Sequence, residues 1–202
     1  MNGGTNGYGT YEIPKENNLK SYYIKNDNYT DDSFKKSGKV IAPMEGTTGN
    51  ERFYVMSLEN INSGTYYCWY DAASGKLDKT VASSENDFGR GRENTEYVNE
   101  KWNDPSLPWG AHNNSSYDDM WEVIQEEIAD GWFVPSKSEW SAFGAAFGIT
   151  GSNYSSTYGL SRGYWSSSQG TTNDAYRANI GRSYIYSDIV NSISYVRLAT
   201  TF

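Results

Sequence analysis

The sequence predicts an α+β fold dominated by strands and loops, with two helices and an aromatic core. Between residues 162 and 202 apolar side chains recur at alternate positions, the pattern of a half-buried strand. Ala178 lies between Arg177 and Asn179 there, and Ile185 between Tyr184 and Tyr186. Residues 118–130 carry Met120, Trp121, Ile124 and Ile128 at helical spacing, and Ser136-Lys137-Ser138-Glu139 is a capping box that opens a second helix. Composition agrees: the hydrophobic fraction is only 37%, but 16% of residues are aromatic, including 18 Tyr and 7 Trp, which argues against disorder.

In chain order, residues 1–37 are rich in Asn, Gly, Tyr and charge, and read as an extended arm that packs through Tyr8, Tyr11, Tyr22 and Tyr23 or as a flexible terminus. A domain starts at residue 38. Residues 40–43 and 53–58 have strand composition, with a turn at 46–50, and the aromatic run 66–70 is a third strand. Residues 71–93 read as loop, and 94–102 as a short helix with Asn94 as N-cap. The helix at 118–130 has Asp118 and Asp119 near its start, where negative charge is favourable, and Glu122, Glu126 and Glu127 on a solvated face. Gly131 ends it. A short buried strand at 132–134 stops at Pro135, and the next helix buries Trp140, Phe143, Ala146 and Phe147 before Gly148 caps it. The polar loop 151–162 leads into the terminal strands and borders their surface.

A formal net charge of −8 and a pI near 4.7 speak against nucleic acid and anionic membrane surfaces as partners. No apolar run is long enough to span a bilayer, and Met1-Asn2-Gly3-Gly4 does not lead into an apolar signal sequence. Cys68 is the single cysteine, so no intrachain disulfide forms, and its aromatic neighbours predict a buried thiol. His112 is the single histidine, with no nucleophile tied to it, and neither a phosphate-cradling glycine motif nor zinc-ligand spacing occurs. No catalytic residue, metal or cofactor is expected.

One stretch has an unusual composition: residues 170–194 contain no Lys, Glu, Gln, Met or Trp, although the rest of the chain uses them. Every residue there can be reached from an asparagine-type codon, or its neighbours, by changing adenines while a pyrimidine stays in third position. That fits a tract diversified at adenines. Around it, Gly163-Tyr164-Trp165-Ser166-Ser167-Ser168-Gln169, then Ala175-Tyr176, then Tyr195-Val196-Arg197 follow in order, and upstream stands Gly131-Trp132-Phe133-Val134-Pro135-Ser136-Lys137-Ser138-Glu139-Trp140. This series resembles the C-terminal half of C-type-lectin-fold domains in the Fibrobacter-paralogue and formylglycine-generating-enzyme-like group. More narrowly, it resembles the variable proteins of diversity-generating retroelements, whose C-terminal repeat is rewritten at adenines to retarget binding.

The resemblance implies a C-type lectin-like domain over residues 38–202, with twisted antiparallel sheets, two helices and a variable region at 162–202. It implies a ligand-binding protein displayed on a virion, on a cell surface or outside the cell, with a protein or cell-surface ligand as partner. Alignment with the family's repeat makes Arg177, Asn179, Gly181, Arg182, Tyr184, Tyr186, Ser187, Asp188, Asn191, Ser192 and Ser194 the outward, ligand-binding positions, with Gly170 and Asn173 as further members. Ala175, Ala178, Ile180, Ile185, Val196 and Leu198 become scaffold. Tyr184 and Tyr186 would anchor a partner and Arg177 and Arg182 supply charge, as both residue types are enriched at hot spots. The alternatives are a calcium-independent carbohydrate-binding lectin on the same face and, remotely, a formylglycine-generating-type oxidase. The oxidase needs a pair of C-terminal cysteines, which this region lacks. Trp102-Asn103-Asp104 resembles a calcium-lectin triplet but lies far from the C-terminus without its Glu-Pro-Asn companion, and is expected to be loop.

Overall fold

The computed structural model describes residues 9–12, 20–25, 53–57, 59–70, 90–106, 117–147, 149–156, 159–171 and 173–201. In chain order its elements are β1 (Gly9–Glu12), β2 (Lys20–Lys25), β3 (Phe53–Ser57), β4 (Tyr67–Cys68), α1 (Gly91–Asn103), α2 (Met120–Val123) and α3 (Gln125–Ala129). Then come α4 (Lys137–Phe147), β5 (Gly163–Gln169), β6 (Asp174–Asn179), β7 (Tyr184–Ile189), β8 (Ile193–Ser194) and β9 (Ala199–Thr201). The strands form antiparallel sheets in the orders β1-β2-β3-β9, β4-β8 and β5-β6-β7. The fold is therefore mixed α+β. The parts of the N-terminal arm that are described are paired strand: β1 and β2 extend the sheet that β3 makes with the C-terminal β9.

A buried indole needs an acceptor for its N–H, and those pairings hold the middle of the fold together. Trp69, just after β4, donates to the Ser166 carbonyl in β5 at 2.8 Å, while Trp165 in β5 donates back to the Tyr67 carbonyl in β4 at 2.8 Å. Trp140 on α4 donates to the Trp165 carbonyl at 3.2 Å and stacks on Tyr164. With Trp121, Trp132, Val134, Val190, Val196 and Leu198, the Trp69 and Trp165 rings belong to one core cluster. Cys68 is buried and in no disulfide, as expected, its thiol donating to the Asn191 carbonyl.

Strand β5 runs through this core, so its three serines are wholly buried. They are tolerated because each makes a bond that the ladder cannot. The register shifts between Trp165 and Gln169, and there the Ser166 hydroxyl donates to the Tyr176 carbonyl, while the Ser168 hydroxyl accepts from the first amide of α4, Lys137. Asn94 on α1 reaches the Ser167 hydroxyl.

Several expectations need correction. Asn94 is not an N-cap: α1 begins at Gly91, and Asn94 is buried inside it. The helix expected at 118–130 is broken at Ile124 into α2 and α3, and the Gln125 side-chain amide occupies the Trp121 carbonyl that a continuous helix would give to the Gln125 backbone. Strand 66–70 shortens to Tyr67–Cys68, and strand 132–134 reduces to one bridge between Phe133 and Ala199. Trp102 and Asn103 close α1 instead of forming a loop; Trp102 donates to Asp119, and Asp104 accepts two bonds from Ser106, which hold its carboxyl below the usual range. The strand at 40–43, the turn at 46–50, most of the loop at 71–93, His112, Tyr8, Gly148 and the side chains of Ala146 and Phe147 lie outside the described residues. Among the described residues, no helix is long and apolar enough to cross a membrane.

Candidate functional site

The site follows from the register of β5, β6 and β7. Arg177 stands opposite Trp165 on one side and Tyr186 on the other, Asn179 opposite Tyr184, and Ala175 opposite Asp188. Since side chains alternate along a strand, these residues share one face of the sheet. Tyr176, Ala178, Ile185 and Ser187 share the other, where α4 packs: Lys137 lies over the Tyr176 ring and Trp140 stacks on Tyr164. Ala175 belongs to the first face yet is buried, as a member of the core cluster with Trp165 and Val190. Between β6 and β7 a 3-10 turn, Ile180–Arg182, buries Ile180 and exposes Arg182, and ends in Ser183 at φ 56.

Arg177 is the centre of the first face. Its guanidinium pairs with Asp188 and lies 5.2 Å from the Trp165 ring centroid and 5.6 Å from that of Tyr186. Tyr184 and Tyr186 are in ring contact at 5.3 Å. Burial, the largest influence, raises the Tyr186 phenol above its ordinary value; Arg177 lowers it and Asp188 raises it. Across the concavity stand Tyr66 and Tyr195, whose rings lie 4.3 Å apart, with Tyr195 donating to the Tyr66 oxygen at 2.7 Å. That bond, ahead of burial, raises the Tyr195 phenol.

These walls enclose a hollow of about 420 Å³. Among the expected positions, Arg177, Asn179, Arg182, Tyr184 and Tyr186 line it. Asp188, Ser192 and Asn191 adjoin it: Asp188 holds Arg177, the Ser192 hydroxyl donates to Asp188, and Asn191 is exposed in the turn before β8. Of the other five, Asn173 and Ser187 are outward as expected but stand away from the hollow. Ser194 is not outward but 1% exposed, because β8 pairs with β4 at Tyr67; it meets the hollow only as part of its floor. Ser187 falls on the α4 face, opposite Tyr176. Gly170 and Asn173 lie at the turn joining β5 to β6, at the far end of the sheet from Tyr184. Gly181 packs against Tyr154 and Gly151, so the loop 151–156 borders the 3-10 turn. Of the scaffold positions, Ala175, Ala178, Ile180, Val196 and Leu198 are buried and Ile185 is half-buried.

Tyr66, Arg162, Gly163 and Tyr195 also line the hollow and were not among the expected positions. Gly163 and Tyr195 stand in the series quoted above and Arg162 adjoins it, which offered a signal; Tyr66, 129 positions from Tyr195, offered none. A second hollow of about 360 Å³ opens on the α4 side, with Trp140, Gly144, Ile149, Ala178, Ile180 and Ile185 in its walls. Asn179 and Tyr184 line both. Among the described residues, no group of His, Cys, Asp and Glu is placed to hold a metal ion. Comparisons with family models, with curated proteins and with solved structures gave no match.

Proposed function

We propose that this chain is a ligand-binding protein of the type made by diversity-generating retroelements, carrying a variable recognition surface on a C-type lectin-like scaffold. The observation that carries the reading is the meeting of Arg177, Asn179, Arg182, Tyr184 and Tyr186 around one hollow, over a sheet whose buried residues are tied to the tryptophan core. Tyr provides large, fairly rigid contact area at low entropic cost, and Arg a planar donor fork, so the lining suits a protein surface. The chain works by binding: the side chains that meet here offer contact and charge, and a protein or cell-surface ligand is the partner.

Two measurements test this. Sister genomic copies of residues 162–202 should differ at the outward positions and agree at Ala175, Ala178, Val196 and Leu198, with a homologous repeat and a reverse-transcriptase gene nearby. Equal variation at both sets removes the retroelement reading. Alanine at Tyr184 and Tyr186 should abolish binding to a selected ligand while leaving thermal unfolding nearly unchanged; a ligand held equally by the double variant engages some other surface. Sugar-specific binding on a glycan panel, lost in the same variant, would replace the protein partner with a carbohydrate.

A further inference from the structure

The hollow is cationic in an acidic chain. The formal net charge is −8, yet Arg162, Arg177 and Arg182 line the cavity, and among the described residues no Asp or Glu does. Asp188 answers Arg177 from beside it. Among the described residues Arg162 and Arg182 have no ionic partner, and both are exposed at the rim. The cavity's polar atoms are also incompletely used. Arg177 Nε, Asn179 Oδ1 and Ser194 Oγ are buried without a hydrogen-bond partner, and all three residues line this hollow. Buried polar groups are nearly always paired, because leaving one unpaired costs its desolvation. Three of the six such atoms among the described residues belong to side chains that line this one hollow.

We infer that the hollow takes the carboxylate of an Asp or Glu side chain from an exposed segment of a protein partner, an assignment that rests on the ligand-binding reading above. Arg162 and Arg182 meet the carboxylate at the rim, and Arg177, held by Asp188, adds its charge from the lining. Tyr66 and Tyr195 face Tyr184 and Tyr186 across the cavity, giving apolar walls for the side chain's methylenes. A volume of about 420 Å³ lies within the ordinary range for a binding pocket and admits one side chain with its flanking backbone. Half of this cationic rim, Arg162, is not among the outward positions expected to vary.

Selection of a random peptide library on the full chain, at low and at moderate salt, tests the inference. Peptides that depend on Tyr184 and Tyr186 should carry Asp or Glu at a recurring position. Replacing that residue by its amide, or making Arg162→Ala with Arg182→Ala in the protein, should each weaken binding roughly tenfold or more, with weaker binding at higher salt. The pair Arg162→Lys and Arg182→Lys, which keeps the charge, should retain part of the affinity. Peptides that require both tyrosines yet bind equally well as amides would overturn the acidic assignment and leave the binding surface standing. Free N-acetylneuraminic acid competing at the peptide's own potency would transfer the site to acidic sugars and overturn the peptide. If no binder depends on Tyr184 and Tyr186, the surface itself is wrongly placed and both readings fall.

Discussion

Arg177 shows how one side chain can belong to both the surface and the fold. Its charge is matched by Asp188, its plane lies near Trp165 and Tyr186, and its Nε has no partner. Tyr186 reports on this balance. Its phenol is raised chiefly by burial, so the native state keeps a proton that the unfolded chain loses near pH 10. Stability from this group is present in full below that value and is lost as pH rises through the higher folded value. The phenolate absorbance difference between wild type and Tyr186→Phe should therefore titrate above the ordinary tyrosine range. Asp188→Asn, which removes a charge that raises the phenol, should bring the transition back down. A difference curve centred at the ordinary value in the native protein would contradict the burial seen here.

At the scale of an element, α4 fixes the back of the sheet and is held by its first turn. Glu139 accepts from the Ser136 amide at 2.6 Å, and Ser136 accepts from the Glu139 amide at 3.2 Å. The other carboxylate oxygen of Glu139 accepts from the Gly91 amide at 3.3 Å, so one carboxylate starts both α4 and α1. Glu139→Ala leaves two buried donors unpaired and should lower unfolding stability by about 2–4 kcal/mol, against about 1 kcal/mol for Ser136→Ala, as read by denaturant midpoints. A cost for Glu139→Ala no larger than that for Ser136→Ala would show that the link to α1 contributes nothing. Gly91→Ala should fail by collision instead, since its Cβ would overlap the Glu139 carboxylate. Gly144 is the opposite case. It lies inside α4 with nothing within 4 Å of its Cβ position, so Gly144→Ala should gain about 0.5–1 kcal/mol, and a loss would mean that α4 is not continuous there.

These two helices also show which features were legible in the sequence. The capping box is an i to i+3 arrangement whose partners are neighbours in the chain, and it folds as written. The start of α1 depends on a carboxylate 48 residues away, so the local rule stopped at Asn94, three residues late. The candidate site divides in the same way. Alternation along β6 and β7 predicted Arg177, Asn179, Tyr184 and Tyr186 together, because they belong to adjacent strands of one hairpin. The alignment with the family's repeat, not alternation, added Ser187 and Ser194; Ser187 lies on the other face, as alternation from Tyr186 requires, and Ser194 is buried where β8 pairs with β4.

For the molecule as a whole, the proposed recognition falls to outward side chains and stability mainly to inward ones of the same strands, with Arg177 shared between them. The tryptophan bonds between β4, β5 and α4, together with the closure of β9 onto β3, connect the core without using any outward side chain of the tract. Substituting exposed residues away from such connections changes stability little, usually within about 0.5 kcal/mol. Arg182→Ser, Tyr184→Ser and Asn191→Tyr should therefore leave thermal unfolding nearly where it was, alone and, being exposed, nearly so in combination. Ser194→Tyr should behave as a core change despite lying in the same tract, because a phenol cannot fit at a site 1% exposed between β4 and the hollow's floor. Overpacking of that kind costs about 1–3 kcal/mol or more, as should Ala178→Leu beneath α4. A scan of thermal midpoints across these variants decides the matter. If the exposed set unfolds the protein as readily as Ser194→Tyr and Ala178→Leu, the outward residues carry the fold, and a surface that can be rewritten without refolding is physically excluded.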